Sequence, residues 1–196
     1  MGASAGVYEG PVRSGRAHGQ ALHHQHGVEV QSFGALRALP LVLGTEARAA
    51  SCAQLNQILA DSIVLCSLYK RHRSLVRAQS FFELHLLLDK HASEQLELLD
   101  VIGERVQVLG GIAVTDPRHV SEITDIPRPP NGVEDAQAML SRLLEAHEIV
   151  IEKVRGAIVT VTANGDYGTA DLLVREVLRL HESQVWFIYQ QFSGIP

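Results

Sequence analysis

Two pentapeptides, HLLLD (85–89) and DVIGE (100–104), each set a pair of ionisable side chains four residues apart: His85 with Asp89, and Asp100 with Glu104. On a helix, residues four apart share a face, and eleven residues come within about 20° of three whole turns. The four groups therefore form one stripe. Imidazole and carboxylate together make an N/O donor set suited to first-row transition metals, iron among them. Charges at this spacing also occur on ordinary solvated helix faces. The neighbours weigh against that reading, because Leu84, Leu86, Leu87, Leu88, Leu96, Leu98, Leu99, Val101 and Ile102 crowd the same helix with apolar side chains.

A di-metal site at the centre of a single four-helix bundle is built from Glu-x-x-His pairs on two helices. The chain contains no glutamate followed three residues later by histidine. A metal held by ligands crowded onto one helix must draw the rest of its shell from elsewhere, and a symmetry-related subunit is the natural supplier.

Four long helical patterns are expected to position this stripe. The first spans about 45–76, with Leu55, Ile58, Leu59, Ser62, Leu65, Cys66, Tyr69 and Val76 on its inner face. The second, 80–109, carries the stripe and stops at Gly110-Gly111. The third runs from Val133 to about Ala163, and the fourth from about Thr169 to Phe192. Short loops make the first and second helices antiparallel, and likewise the third and fourth. The link at 110–132, with a helix-like DPRHVSEIT, is long enough to travel the length of a bundle. The expected fold class is all-α: a ferritin-like four-helix bundle with one long crossover containing a short helix. Residues 1–44 form an N-terminal extension, largely flexible, in which the apolar 32–44 docks on the domain; 45–192 form the domain and 193–196 the C-terminal end.

Composition bounds the function. The 196 residues are 46% hydrophobic, enough for one proper core, and the formal net charge of −5 gives no general drive towards nucleic acid. Cys52 and Cys66 on one helix lie about 21 Å apart, too far to bridge, and two unpaired thiols suit a reducing compartment. No leader pattern and no apolar run of about 18 residues is visible, so the expectation is a cytoplasmic protein without a membrane partner.

With these residues in view, the chain resembles the Dps family, the miniature ferritins of bacteria. The resemblance runs from Leu55 to Phe192 and is carried by LNQILAD, LYKRH, FFELHLLLDKH, LLDVIGERVQVLGG and GTADLLVREVLRLHESQVWF. It implies a hollow homo-dodecamer that oxidises Fe(II) to Fe(III) at inter-subunit sites, with hydrogen peroxide or dioxygen as oxidant, stores the iron and protects DNA from oxidative damage. His85 and Asp89 match the ligands given by one subunit, and Asp100 and Glu104 those given by its two-fold mate. One departure stands out. The family's His-Trp, twelve residues before the second histidine, is replaced by Arg73-Ser74. Arginine has no lone pair for a metal, and could instead pair with Asp89 or Glu104. His72 is the neighbouring candidate ligand. An alternative reading is a structural or nucleoid-associated cage with weak or no ferroxidase activity.

Other groups carry less. His23, His24 and His26 could chelate a transition metal. The extension to Arg37 has three arginines, Arg13, Arg16 and Arg37, against Glu9 and Glu29, and no lysine. DNA therefore gains little affinity per chain, although twelve copies would add avidity. His147 and His181 read as hydrogen-bonded helix histidines or as cation-handling groups. Asp166 and Asp171 open the fourth helix, where carboxylates favour the dipole, and by the resemblance Asp171 is a candidate for an iron-entry pore. Trp186 is expected to be packed with its N–H satisfied.

Overall fold

A computed structural model describes residues 27–77 and 81–192. Its helices are α1 (Thr45–Leu75), α2 (Phe81–Val108), α3 (Pro117–Ile123), α4 (Ala136–Ala163), α5 (Tyr167–Leu172) and α6 (Arg179–Gln190), with a π-helical stretch, Leu173–Leu178, joining the last two. The described residues thus form an all-α four-helix bundle: α1, α2, α4 and the α5–α6 rod, with α3 inside the crossover. The chain divides into two units, Met1–Val30 and Gln31–Pro196, and the bundle lies in the second.

The inner face expected for α1 is buried throughout, from Leu55 to Val76. Opposite it lie Leu84, Leu88, Leu98, Ile102 and Val106 of α2, Leu143, Val150, Val154 and Val161 of α4, and Leu173, Val177 and Ile188 of the last rod. Two thiol contacts show α1 and α2 to be antiparallel. Cys66 donates to the Ala92 carbonyl and, further down, Cys52 to that of Val106. Both cysteines are unpaired, and burial raises both thiol pKa values.

Local chemistry ends each helix. Gly110 takes φ +89° as α2 stops, with its N–H bonded to Gln107 O and that of Gly111 to Val106 O, a Schellman motif. Asp116, Asp135 and Asp166 cap α3, α4 and α5 through N–H groups of the first turn. In the last rod the buried Thr169, Leu173, Val177 and His181 recur at every fourth residue. An α-helix would drift about 40° per step and turn His181 off the core. The wider π turn holds the row inward.

Polar side chains of α1 hold the crossover. Asn56 bonds Ile112 O and Val114 N. Asp61, fully buried, accepts from Thr124 Oγ1 at 2.7 Å and Asp125 N at 2.8 Å. Residues 31–44 are tied to the end of α2: Gln31 donates to Gly110 O, as does Arg37 N–H, and Arg48 bridges Arg37 O and Leu109 O.

A polar seam crosses the centre of the bundle. Tyr69 of α1 shares a hydrogen bond of 2.5 Å with His147 Nε2 of α4 and one of 3.2 Å with His91 Nδ1 of α2. His147 Nδ1 meets His181 Nδ1 of α6 at 2.9 Å. Beside it, Gln95 donates to Gln184. All six side chains are buried.

Candidate metal centre

The stripe runs along α2 outside the row of core residues Leu84, Leu88, Leu98, Ile102 and Val106, with His85 on its flank nearest the core and Glu104 turned furthest away. His85 and Asp89 are half-buried against the end of α1, while Asp100 and Glu104 are exposed. Asp89 and Asp100 are about 16 Å apart along the axis. Ligands of one ion lie about 2 Å from it, so one chain cannot close both halves on a single ion. Accordingly, among the described residues no three His, Cys, Asp or Glu side chains of one chain converge as a metal site.

Arg73 organises the upper half. Its guanidinium pairs with Asp89 Oδ1, so of the two acids open to it in the sequence it takes the nearer. Its carbonyl oxygen accepts from His85 Nδ1 at 3.3 Å. A ring nitrogen bonded to a carbonyl must carry the proton, which makes Nε2 the lone-pair nitrogen of neutral His85. An outer hydrogen bond of this kind sets the tautomer and orientation of a metal-binding imidazole. One arginine thus prepares a histidine with its backbone and occupies a carboxylate with its side chain.

His72 is not brought to the stripe. It points into the bundle, 1% exposed, and neither ring nitrogen has a hydrogen-bond partner among the described residues. Burial pushes its pKa down to about 4. One step along a helix rotates a side chain by about 100°, enough to send Arg73 outward and His72 inward. Ser74 is exposed and bonds back to Lys70 O.

The two aspartates of the fourth helix separate. Asp166 is buried and accepts from Thr169 N, Thr169 Oγ1 and Arg105 Nη2, which ties the end of α2 to the start of α5. Burial pushes its carboxyl pKa up, but the Thr169 hydrogen bonds and Arg105 outweigh it and hold it below the usual range. Asp171 is exposed, one turn before the exposed Arg175. Trp186 corrects the expectation made of it: its side chain is 58% exposed, edge-on to Phe187. His23, His24 and His26 lie outside the described residues, as do Arg13, Arg16 and Glu9.

The model of the ferritin-like domain matches residues 52–196. Among solved structures, DpsC from Streptomyces coelicolor is 51% identical, with a TM-score of 0.85 over 86% of this chain and 98% of that one. The chain belongs to the Dps family. A Dps homologue from the archaeon Halobacterium salinarum is 25% identical, with a TM-score of 0.81 over 86% of this chain and 93% of that one. A nutrient stress-induced DNA-binding protein from Synechococcus is 31% identical over 78% of this chain and 87% of its own length. Both the fold and the miniature-ferritin membership implied by the sequence therefore hold.

As a Dps chain, the molecule also shows which face is unfinished. Phe82, Leu86, Leu96 and Val101 are 36–66% exposed and share the outer side of α2 with the stripe. Leu96, Leu99, Asp100, Gly103 and Glu104 line a groove with Leu59 and Ile63 of α1. Apolar and acidic groups mixed on one outer face are the composition of a surface that another protein covers.

The residues that motif reading passed over are Tyr69 as a polar centre and His91, with His147 and His181 as its partners. Their signal was periodicity. His91 falls among Leu88, Ala92, Gln95 and Leu98, His147 among Leu143 and Val150, and His181 among Val177 and Ile188. All three occupy core positions of their helices.

Proposed function

We propose that this protein is an iron-storage cage that binds Fe(II) where two subunits meet and oxidises it to Fe(III). In that reading His85 and Asp89 of one subunit face Asp100 and Glu104 of its two-fold mate, and the subunits close into a hollow dodecamer. The supporting observation is the stripe itself: two ligand halves too far apart for one ion, on the face away from the core, with His85 Nε2 in its acceptor form. Three carboxylates per site favour the more highly charged ion, which assists electron loss. Two Fe(II) ions give two electrons to one hydrogen peroxide, which takes up two protons and leaves as two waters. Because those electrons reach the peroxide in pairs, iron is removed without hydroxyl radical, which is how such a cage would protect DNA. Dioxygen is the other oxidant of the right chemistry. The exposed Asp171 is proposed as part of an iron-entry pore, and the cytoplasm, free or at the nucleoid, as the location.

The second reading is a structural or nucleoid-associated cage with weak or no ferroxidase activity, favoured by the Arg73–Asp89 ion pair. A fixed cation on a ligand carboxylate competes with iron for it. The deciding experiment adds Fe(II) anaerobically, then peroxide, and follows ferric absorbance. A rate well above the protein-free control is expected; a rate equal to it leaves only the cage.

A further inference from the structure

The four groups of the polar seam, His91, Tyr69, His147 and His181, come one from each long helix and are fully buried. Their hydrogen bonds form a single file with two self-consistent arrangements of protons. In one, His91 Nδ1–H donates to the Tyr69 oxygen, Tyr69 O–H donates to His147 Nε2, and His147 Nδ1–H donates to His181 Nδ1. This leaves the N–H of His181 Nε2 at the end. The other arrangement runs in reverse and leaves the N–H of His91 Nε2. These two nitrogens are the ones in the file without a partner among the described residues. Among the described residues no acid or lysine bonds to it, and burial lowers the pKa of His147 and of His181, the latter to about 3. A phenol bonded at 2.5 Å to a neutral imidazole is arranged to lose an electron while its proton crosses one short hydrogen bond.

The file also lies beside the stripe. Tyr69 precedes Arg73 by one turn of α1, about 6 Å. His91 follows Asp89 by two residues and leaves α2 on the other face, so the path from Tyr69 to the stripe crosses about one helix diameter, 10–12 Å. Single electrons cross protein over such a distance.

We infer that Tyr69 is an electron reservoir for the oxidation site, giving one electron to peroxide when a single Fe(II) is bound and passing its proton to His147. This rests on the reading of the stripe as an iron-oxidising site. The step balances: Fe(II), hydrogen peroxide, Tyr69–OH and neutral His147 become Fe(III), two hydroxide ions, the Tyr69 phenoxyl radical and protonated His147. The O–O bond breaks, iron loses one electron and the phenol the other. The next Fe(II) returns an electron to the phenoxyl, and His147 returns the proton. A half-loaded site thereby reduces peroxide by two electrons and releases no hydroxyl radical. Arg73, which competes for Asp89, makes half-loaded sites the ones this protein must manage.

The test uses the assembled full-length protein with one Fe(II) per subunit, peroxide, freeze-quenching and electron paramagnetic resonance, with ferric absorbance in parallel. A tyrosyl signal is expected that narrows with ring-deuterated tyrosine. It should vanish in Tyr69→Phe, fall several-fold in His147→Gln, and persist in Tyr167→Phe and Tyr189→Phe, whose side chains are exposed. Spin-trapped hydroxyl radical should rise several-fold in Tyr69→Phe. In a second arm, flash-generated tris(bipyridine)ruthenium(III) oxidises the iron-free cage by one electron. Ferric formation no faster than buffer sinks the iron-oxidation reading. A ruthenium-arm signal unchanged by Tyr69→Phe, or no signal at all, overturns the role of Tyr69 however the first arm reads.

Discussion

The guanidinium of Arg73 pairs with the carboxylate of Asp89, binding the end of α1 to the start of α2. Both side chains are more than a third exposed, so as a structural link the pair contributes little, about 0–1 kcal/mol. Its larger effect falls on the proposed ligand set, to which Asp89 belongs. Asp89 is the one carboxylate on the His85 side of the stripe, and the cation beside it opposes any ion that approaches.

Arg73→His is therefore expected to tighten Fe(II) binding, by about tenfold or more, which corresponds to about 1.4 kcal/mol. The substitution removes a competing charge and supplies an imidazole one turn from Tyr69. Anaerobic calorimetric titration measures it. Unchanged affinity would mean that Arg73 does not stand where a ligand should.

Asp100→Ala is expected to weaken Fe(II) binding more than His147→Gln does. Asp100 lies exposed on the stripe, whereas His147 is enclosed in the core. The same titration on both variants checks this, and the reverse order would move the site off the outer face of α2.

Stability should fall as the medium is acidified from neutral. His72 and His91, at about 4, and His181, at about 3, are neutral when folded and titrate near 6.5 when unfolded. Between those values the unfolded chain binds more protons, so stability rises with pH there. The contribution is complete above about pH 6.5 and drains away towards pH 4, at up to about 1.4 kcal/mol per pH unit for each histidine. Urea unfolding at pH 7, 6 and 5 reads this directly; midpoints independent of pH would contradict the buried, neutral state of these rings.

Gly110→Ala is expected to cost at least about 1–2 kcal/mol. The residue sits at φ +89°, and an added Cβ would lie 2.7 Å from the Arg37 carbonyl oxygen, a backbone atom. Val42→Asn should act oppositely, by about 0.5–1 kcal/mol, because an exposed β-branched residue at φ 54° gives way to one that tolerates the left-handed region. Thermal unfolding of both variants tests the pair.

Helical periodicity by itself determined the long helices, the crossover with its short helix, the α2 stop and the outward stripe of His85, Asp89, Asp100 and Glu104. Each depends on neighbours within a few turns, and a regular helix converts sequence spacing into direction. Tertiary structure alone decided that Arg73 takes Asp89 rather than Glu104, that His72 turns inward, that Trp186 stays exposed, and that Tyr69 gathers histidines 22 and 78 residues away. Those outcomes depend on which helices pack together, at what rotation and with which rotamers, and spacing along one helix carries none of that information.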